Sequence, residues 1–455
     1  MTNPTEEKQT SQSGIKGYFE FERLQTNFQK EITAGFTTFM TMAYILAANP
    51  GILSNAIFLE ESGDLFNELA IATAVSAAIA TLVMGIYARF PFALAPGMGL
   101  NAYFAFSVVL GEGIPWQTAL GAVFIEGIIF IILTITNIRT LVVNAIPQCI
   151  KAGTTAGIGG FIAYIALQSA GIITSSDSTI TTLGNLAAPQ TGIAIIGIFL
   201  TAAFLEWLQG GLLVGILATA VLAWVGGVAP WPDGIVAMPS LPSNLFGQAW
   251  VGLTNIPSTA IAELLSVLFV FLFVDFFDTV GTITGLGMRT GYVKENGEFP
   301  GVNRALLADA VGTTAGAFLG TSTVTSYIES ASGVAEGGRS GFTAVVTAIL
   351  FLLSIFFIPL LSGIPALATA PALILVGVLM VGSVRNIQWD DMAEAIPAFL
   401  TIIMMPLTYS IADGLAAGFI TYPFIKLFQG KAGEVQPAIW IIAIAFLVKF
   451  IIEAN

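Results

Sequence analysis

Long apolar stretches alternate with short polar breaks along almost the whole chain, and each stretch has about 17–25 residues, the length of a helix that crosses a bilayer. The first group lies near residues 31–50, 68–88, 93–110, 116–136, 145–170, 190–208 and 210–228. A second group lies near 258–283, 302–319, 321–335, 341–361, 364–384, 394–410 and 412–428. A last apolar run, 437–452, reads equally as a span or as a helix lying in the interface. The pattern predicts an all-α polytopic membrane protein with about fourteen transmembrane segments.

The basic residues between the stretches fix an expected orientation. Lys8, Lys16, Arg23 and Lys30 precede the first span, and Arg89 follows the second. Arg139 and Lys151 flank the fourth-to-fifth connection, while Arg289, Lys294 and Arg304 fill the loop after the eighth. Arg339, Arg385, Lys426 and Lys431 complete the set. With a cytoplasmic N-terminus all of them fall on the cytoplasmic side, as the positive-inside rule requires. The opposite loops carry Glu60, Glu61, Asp64, Glu112, Asp177 and Asp233, and Lys449 in the last run is left unplaced. Residues 1–30 are polar and mixed in charge, so no cleavable signal peptide is expected.

An odd number of spans separates the first segment from the eighth, so related halves would be inserted upside down with respect to each other. Two interrupted segments occupy matching places. One is Ala95-Pro-Gly-Met-Gly-Leu-Asn-Ala-Tyr-Phe104, before the third helix. The other is Gly320-Thr-Ser-Thr-Val-Thr-Ser-Tyr-Ile-Glu-Ser-Ala-Ser-Gly333, before the tenth. Each reads as a short broken or β-like piece followed by a helix start, and an Ile-Pro pair opens the fifth element of each half, Ile146-Pro147 and Ile364-Pro365. A broken helix leaves backbone N–H and C=O groups that lipid does not tolerate unless they line a cavity. Paired breaks in two inverted halves point to a transporter's binding site at the midplane.

Asp275 and Asp278 lie inside the apolar run Leu268–Val280. Spaced three residues apart on a helix, they share roughly one face. A charge at bilayer depth costs about 3 kcal/mol or more unless it meets a cavity, a partner or a proton. Composition narrows the chemistry further. The chain has 455 residues, 56% hydrophobic and 9% charged, against about 25% charged in soluble domains. It holds no histidine, so any proton chemistry runs on carboxylates. The single cysteine, Cys149, excludes an intramolecular disulfide and reads as a small core residue. A net charge of −13 argues against a nucleic-acid partner. No metal-ligand cluster and no nucleophile–base pair are present, which argues against an enzyme, and no cofactor is expected. Nothing suggests the ring-forming filter of a channel.

The chain resembles the nucleobase:cation symporter-2 (xanthine/uracil permease) family, and within it the AzgA-like adenine/guanine/hypoxanthine permeases. The motifs are Gly35-Phe-Thr-Thr-Phe-Met-Thr-Met-Ala-Tyr-Ile45, the Ala95 segment, Asp275-Phe-Phe-Asp-Thr-Val-Gly-Thr282 and the run from Thr323 to Gly341. The resemblance implies a seven-plus-seven inverted repeat with a cytoplasmic tail at 1–30. Its core domain would comprise 31–136 and 258–361, and its gate domain 145–228 and 364–455. It also implies proton symport of a purine base in the cell membrane and a homodimer formed through the gate. Binding residues carried over are Asn101, Asp275 and Glu329, supported by Asp278, Gly97 and Gly99. Uracil-type members carry a glutamate and a nearby histidine in the eighth helix, and both are replaced here, which favours purines over uracil. An anion transporter of the same fold would be expected to place a cation or bare helix ends at its site; here two or three acids stand there without lysine or arginine.

A purine edge offers ring N–H donors beside ring N or carbonyl acceptors, and a carboxylate with an amide satisfies both. Glu329 and Asp275 are therefore expected to bond the base directly, with Asp278 as the supporter or proton holder. Asn101 has helix capping as its competing role. Two carboxyls as close as Asp275 and Asp278 favour sharing one proton, and which of Asp275, Asp278 and Glu329 carries it is open. Asp309 belongs either to this network or to a structural pair with Arg304 or Arg289. Phe104, Phe276, Phe277 and Tyr327 are candidates to stack on the base, with ordinary packing the competing reading for each. Glu126, Glu206 and Asp413 also lie in apolar context; for Glu206 and Asp413 a hinge or helix-end role is expected. Glu336 and Arg339 are expected to pair.

Overall fold

The computed structural model describes residues 14–136, 146–239, 241–256, 261–293 and 299–453. Arg139 and Lys294, two of the basic residues used for orientation, lie outside the described residues, as does Lys8.

Helices occupy the expected apolar segments in order. After a single turn α1 (Ile15–Tyr18), the first half contains α2 (Phe28–Met42), α3 (Ile45–Leu53), α4 (Phe66–Val83), β1 (Leu94–Pro96), α5 (Met98–Ala102) and α6 (Trp116–Ile135). It continues with α7 (Gln148–Ser169), β2 (Ile173–Ser176), β3 (Ile180–Leu183), α8 (Pro189–Trp207) and α9 (Gly211–Val225). A connecting helix α10 (Gln248–Thr254) leads to α11 (Ile261–Thr290), α12 (Val302–Leu319), β4 (Val324–Ser326) and α13 (Ser330–Ala335). The chain ends with α14 (Gly341–Ser354), α15 (Ile358–Ser362), α16 (Ala366–Val381), α17 (Met392–Thr408), α18 (Ile411–Phe428) and α19 (Pro437–Glu453). Nine helices among the described residues are long and apolar enough to cross a bilayer. Each Ile-Pro pair stands immediately before a helix, with Pro147 capping α7 and Pro365 capping α16, positions where a missing N–H costs no helical bond. The β2–β3 hairpin and α10 have no counterpart in the hydropathy pattern.

The two interrupted segments meet at the centre. Strands β1 and β4 pair antiparallel, with Leu94 opposite Ser326, Ala95 opposite Thr325 and Pro96 opposite Val324. Gly97 N–H donates to the Thr323 carbonyl at 2.9 Å and Tyr327 N–H to the Ala93 carbonyl at 3.0 Å, extending the ribbon at both ends. A ribbon of only two strands leaves polar groups along its outer edges, which a membrane interior cannot satisfy. Two threonines supply them. Thr81 of α4 donates to the Leu94 carbonyl at 3.0 Å and accepts from Leu94 N–H at 2.9 Å. Thr313 of α12 donates to the Val324 carbonyl at 3.0 Å and accepts from Val324 N–H at 3.2 Å. All six paired strand residues are buried.

Glu31, to which the sequence assigns no role, holds a third junction. Its buried carboxylate accepts from Arg339 N–H (3.0 Å), Ser340 Oγ (2.8 Å), Thr343 N–H (3.2 Å) and Thr343 Oγ1 (2.6 Å). A carboxylate from α2 thus satisfies the open N-terminus of α14, where negative charge is favoured. The expected Glu336–Arg339 pair does not form: Glu336 accepts from Gln209, and the Arg339 guanidinium caps the Val334 and Gly338 carbonyls.

Candidate functional site

A cavity of about 270 Å³ opens where the ribbon, α11 and the start of α13 converge. Its volume is close to the lower end of the small-molecule range, suited to a small flat ligand. Gly97, Met98 and Gly99 contribute one wall from the β1–α5 junction; Thr325, Ser326, Tyr327, Ile328 and Glu329 contribute another from the β4–α13 junction. Asp278 and Thr282, one turn apart on α11, face it, and Tyr44 reaches it from the break between α2 and α3. Across from these stand Thr155 of α7 with Val376, Leu379, Met380 and Ser383 around α16.

Glu329 is held on the wall by a hydroxyl: Tyr44 Oη donates to its Oε1 at 3.1 Å. Tyr327 lines the cavity but commits its hydroxyl to the Pro96 carbonyl at 2.5 Å. Ser326 Oγ, on a residue 3% exposed, has no hydrogen-bond partner among the described residues. Gly97 and Gly99 are required by close approach. A Cβ on Gly97 would stand 3.0 Å from Thr325 Cγ2 and Oγ1, and one on Gly99 only 2.5 Å from Ile158 Cγ2 of α7.

Five of the expected site residues therefore share the cavity wall: Asp278, Glu329, Gly97, Gly99 and Tyr327. Asp275, Asp309, Asn101, Phe104 and Phe276 are not part of it. Asp275 is fully buried behind the wall, where the Thr279 hydroxyl stands 3.2 Å from Asp275 Oδ1 and 2.9 Å from Asp309 Oδ1. The division expected from the sequence, with Asp275 on the ligand and Asp278 behind it, is reversed in placement. Asp309 thus shares the Thr279 hydroxyl with Asp275. Asn101 is buried on α5 with its Oδ1 accepting from Ser322 Oγ, while its Nδ2 has no partner among the described residues. Phe104 and Phe276 pack into the interior beside Phe271 and Phe130. The ring of Phe277 lies under the Lys151 ammonium, 5.1 Å from its centroid.

A further acid joins the buried side. Glu126 of α6 accepts from Thr323 Oγ1 at 2.8 Å, and its Oε1 has no partner among the described residues. Asp413 stands in the first turn of α18, its N–H donating to the capping Ser410 hydroxyl at 3.2 Å, a helix-end position as expected; Glu206 is exposed near the end of α8. The sequence missed Tyr44, Thr282, Ser326 and the wall from α7 and α16. Thr282 had a signal, since it follows Asp278 by one helical turn. The residues across the cavity had none, because nothing in an apolar helix marks which side another helix will meet.

The family model described as Permease family (Xan_ur_permease) matches residues 29–416. The chain belongs to this xanthine/uracil permease family. Over 446 residues it is 48% identical to the guanine/hypoxanthine permease PbuG of Bacillus subtilis (strain 168), covering 96% of this chain and 99% of that protein. It is 40% identical over 445 residues to the adenine permease AdeP of Escherichia coli (strain K12), covering 97% of each chain. These relatives agree with the AzgA-like purine permease subfamily. Among solved structures it resembles the transmembrane domain of a cyanobacterium bicarbonate transporter, BicA, with a TM-score of 0.62 over 86% of this chain and 97% of that one. Sequence identity there is 14%, so that likeness concerns the fold alone. The protein is a membrane-embedded nucleobase permease and not an enzyme.

Proposed function

We propose that this permease imports purine nucleobases, adenine, guanine and hypoxanthine among them, by proton symport, with the base in the cavity between the third, eighth and tenth spans. The observation that carries the reading is the wall itself: two carboxyls, Asp278 and Glu329, with no lysine or arginine among the described lining residues. Carboxyls accept from the N–H edge of a base, and the Ser326 hydroxyl supplies an uncommitted polar group beside them. An acid-lined wall is a poor match for an anion despite the shared fold. The purine permeases among its relatives point the same way.

For the proton we assign the buried set behind the wall. Thr279 has one O–H and two carboxyl oxygens within reach. Both contacts are satisfied when one of Asp275 and Asp309 is protonated and donates back to the hydroxyl. In this reading Asp278 and Glu329 contact the base, and Asn101 and Gly97 shape the backbone beside it. The protein lies in the plasma membrane with a cytoplasmic N-terminus. Residues 31–136 and 258–361 form the core, and 145–228 and 364–455 the gate through which a homodimer assembles.

Uptake of radiolabelled adenine, guanine, hypoxanthine, xanthine and uracil in cells lacking their own permeases tests it. Saturable purine uptake abolished by a protonophore is expected. Protonophore-insensitive uptake overturns proton coupling, and a preference for uracil overturns the purine assignment.

A further inference from the structure

A second cavity, of about 450 Å³, lies at the end of the bundle that carries the N-terminal segment, away from the substrate cavity. Three guanidiniums converge on it from separate places: Arg23 from the segment after α1, Arg89 from the turn that follows α4 and Arg304 from the start of α12. The described lining residues include one carboxylate, Glu20. It bonds both Arg23 and Arg89, the latter at 3.3 Å. The Arg304 guanidinium has no hydrogen bond or ion pair among the described residues. Three positive charges against one negative leave an excess in a concave space, where the field on an incoming anion is focused.

The backbone adds a second observation. Glu20 and Arg89 both have positive φ, 54° and 63°. For residues with a side chain this conformation is costly, and such strain collects where a structure holds groups for use. The two side chains, from distant parts of the sequence, meet in an ion pair at the cavity. The Arg89 guanidinium also lies 4.5 Å over the Tyr18 ring, a contact that holds it at the cavity. A planar fork held in place suits tetrahedral oxyanions, which accept paired N–H bonds.

We propose that this cavity binds the phosphate group of an anionic ligand through Arg23, Arg89 and Arg304. The group belongs either to a phospholipid headgroup at the membrane surface or to free phosphate; basic pockets between helices at this level hold headgroups in other membrane proteins. A bound phosphate would tie the N-terminal segment to the ends of α4 and α12.

The test uses the full chain, purified and delipidated in a neutral detergent. Native mass spectrometry reads retention of phosphatidylglycerol against phosphatidylcholine, and calorimetry reads inorganic phosphate against chloride. Two variants carry opposite predictions. Arg304→Gln, at an exposed position, weakens binding by roughly tenfold, the effect of losing one charge-assisted contact. Glu20→Gln removes the competing carboxylate and strengthens it. Phosphatidylglycerol retention without phosphate binding identifies a headgroup; phosphate binding with the same variant order identifies the free ion. Equal retention of both lipids together with no phosphate heat, or binding unchanged in Arg304→Gln, overturns the proposal.

Discussion

Tyr44 Oη donates a 3.1 Å hydrogen bond to Glu329 Oε1, joining the break between α2 and α3 to the start of α13. Both residues line the cavity, so this bond fixes the direction of a carboxylate on the wall of the proposed substrate site. Tyr44→Phe keeps the ring and deletes the donor. Glu329 is only half-buried, so water can replace the lost donor and the fold is little affected, while the carboxylate loses its fixed direction. The expected result is a KM for purine uptake raised by roughly tenfold or more, with expression and melting temperature little changed. An unaltered KM would show that Glu329 needs no such support.

Thr81 and Thr313 each provide a donor and an acceptor to one outer edge of the central ribbon. Thr81→Val and Thr313→Val keep the shape and remove both. Each is expected to destabilise the protein by about 1–3 kcal/mol, read as a lower melting temperature in detergent, and serine at either position should restore most of it. If valine melts like wild type at both sites, the edges are satisfied in some other way.

Gly99 on the cavity wall packs closely against Ile158 of α7. Gly99→Ala places a methyl 2.5 Å from Ile158 Cγ2 and forces the two helices apart. Uptake should fall steeply in this variant and recover in part when combined with Ile158→Ala, since the second change removes the clashing carbon. A double variant no better than the single one rules out that contact as the cause.

Asp391 lies at the N-terminus of α17, outside the spanning segments. The Gln429 side-chain amide, at 3.0 Å, is the main group that holds its carboxyl below the ordinary aspartate value of 3.8, helped by Ala393 N–H at 2.9 Å and by Lys426. A depressed folded value means stability that is present above 3.8 and lost as pH falls through the folded value. Melting temperature followed into this acid range should therefore drop more in wild type than in Asp391→Asn. Parallel curves would remove Asp391 from the acid response.

Much of this was legible in one sequence. The breaks before α5 and α13 announce themselves through Pro96, Gly97 and the hydroxyl-rich run from Thr321 to Ser326, because a bilayer admits such residues only where something satisfies them. Asp275 and Asp278 stood out for the same reason. Their separate destinations did not. Three residues along an α-helix rotate a side chain by about 300°, leaving about 60° between the pair. That angle is enough to send Asp278 to the cavity and Asp275 to Thr279 and Asp309. Sequence spacing placed both on one face, and only the neighbouring helices separate them. Glu31 was invisible for a related cause: apart from Thr26, its partners are backbone N–H groups and hydroxyls at the start of a helix that lies distant in the sequence.

The central ribbon also imposes an order on biogenesis. β1 (Leu94–Pro96) leaves the ribosome long before β4 (Val324–Ser326), the strand it pairs with. Until the later strand arrives, the inner edge of β1 at Ala95 lacks its backbone partner at Thr325, at a depth where water cannot substitute. The nascent first half must therefore wait in a provisional arrangement. Only synthesis of Ser326 and the residues after it allows the earlier spans to settle.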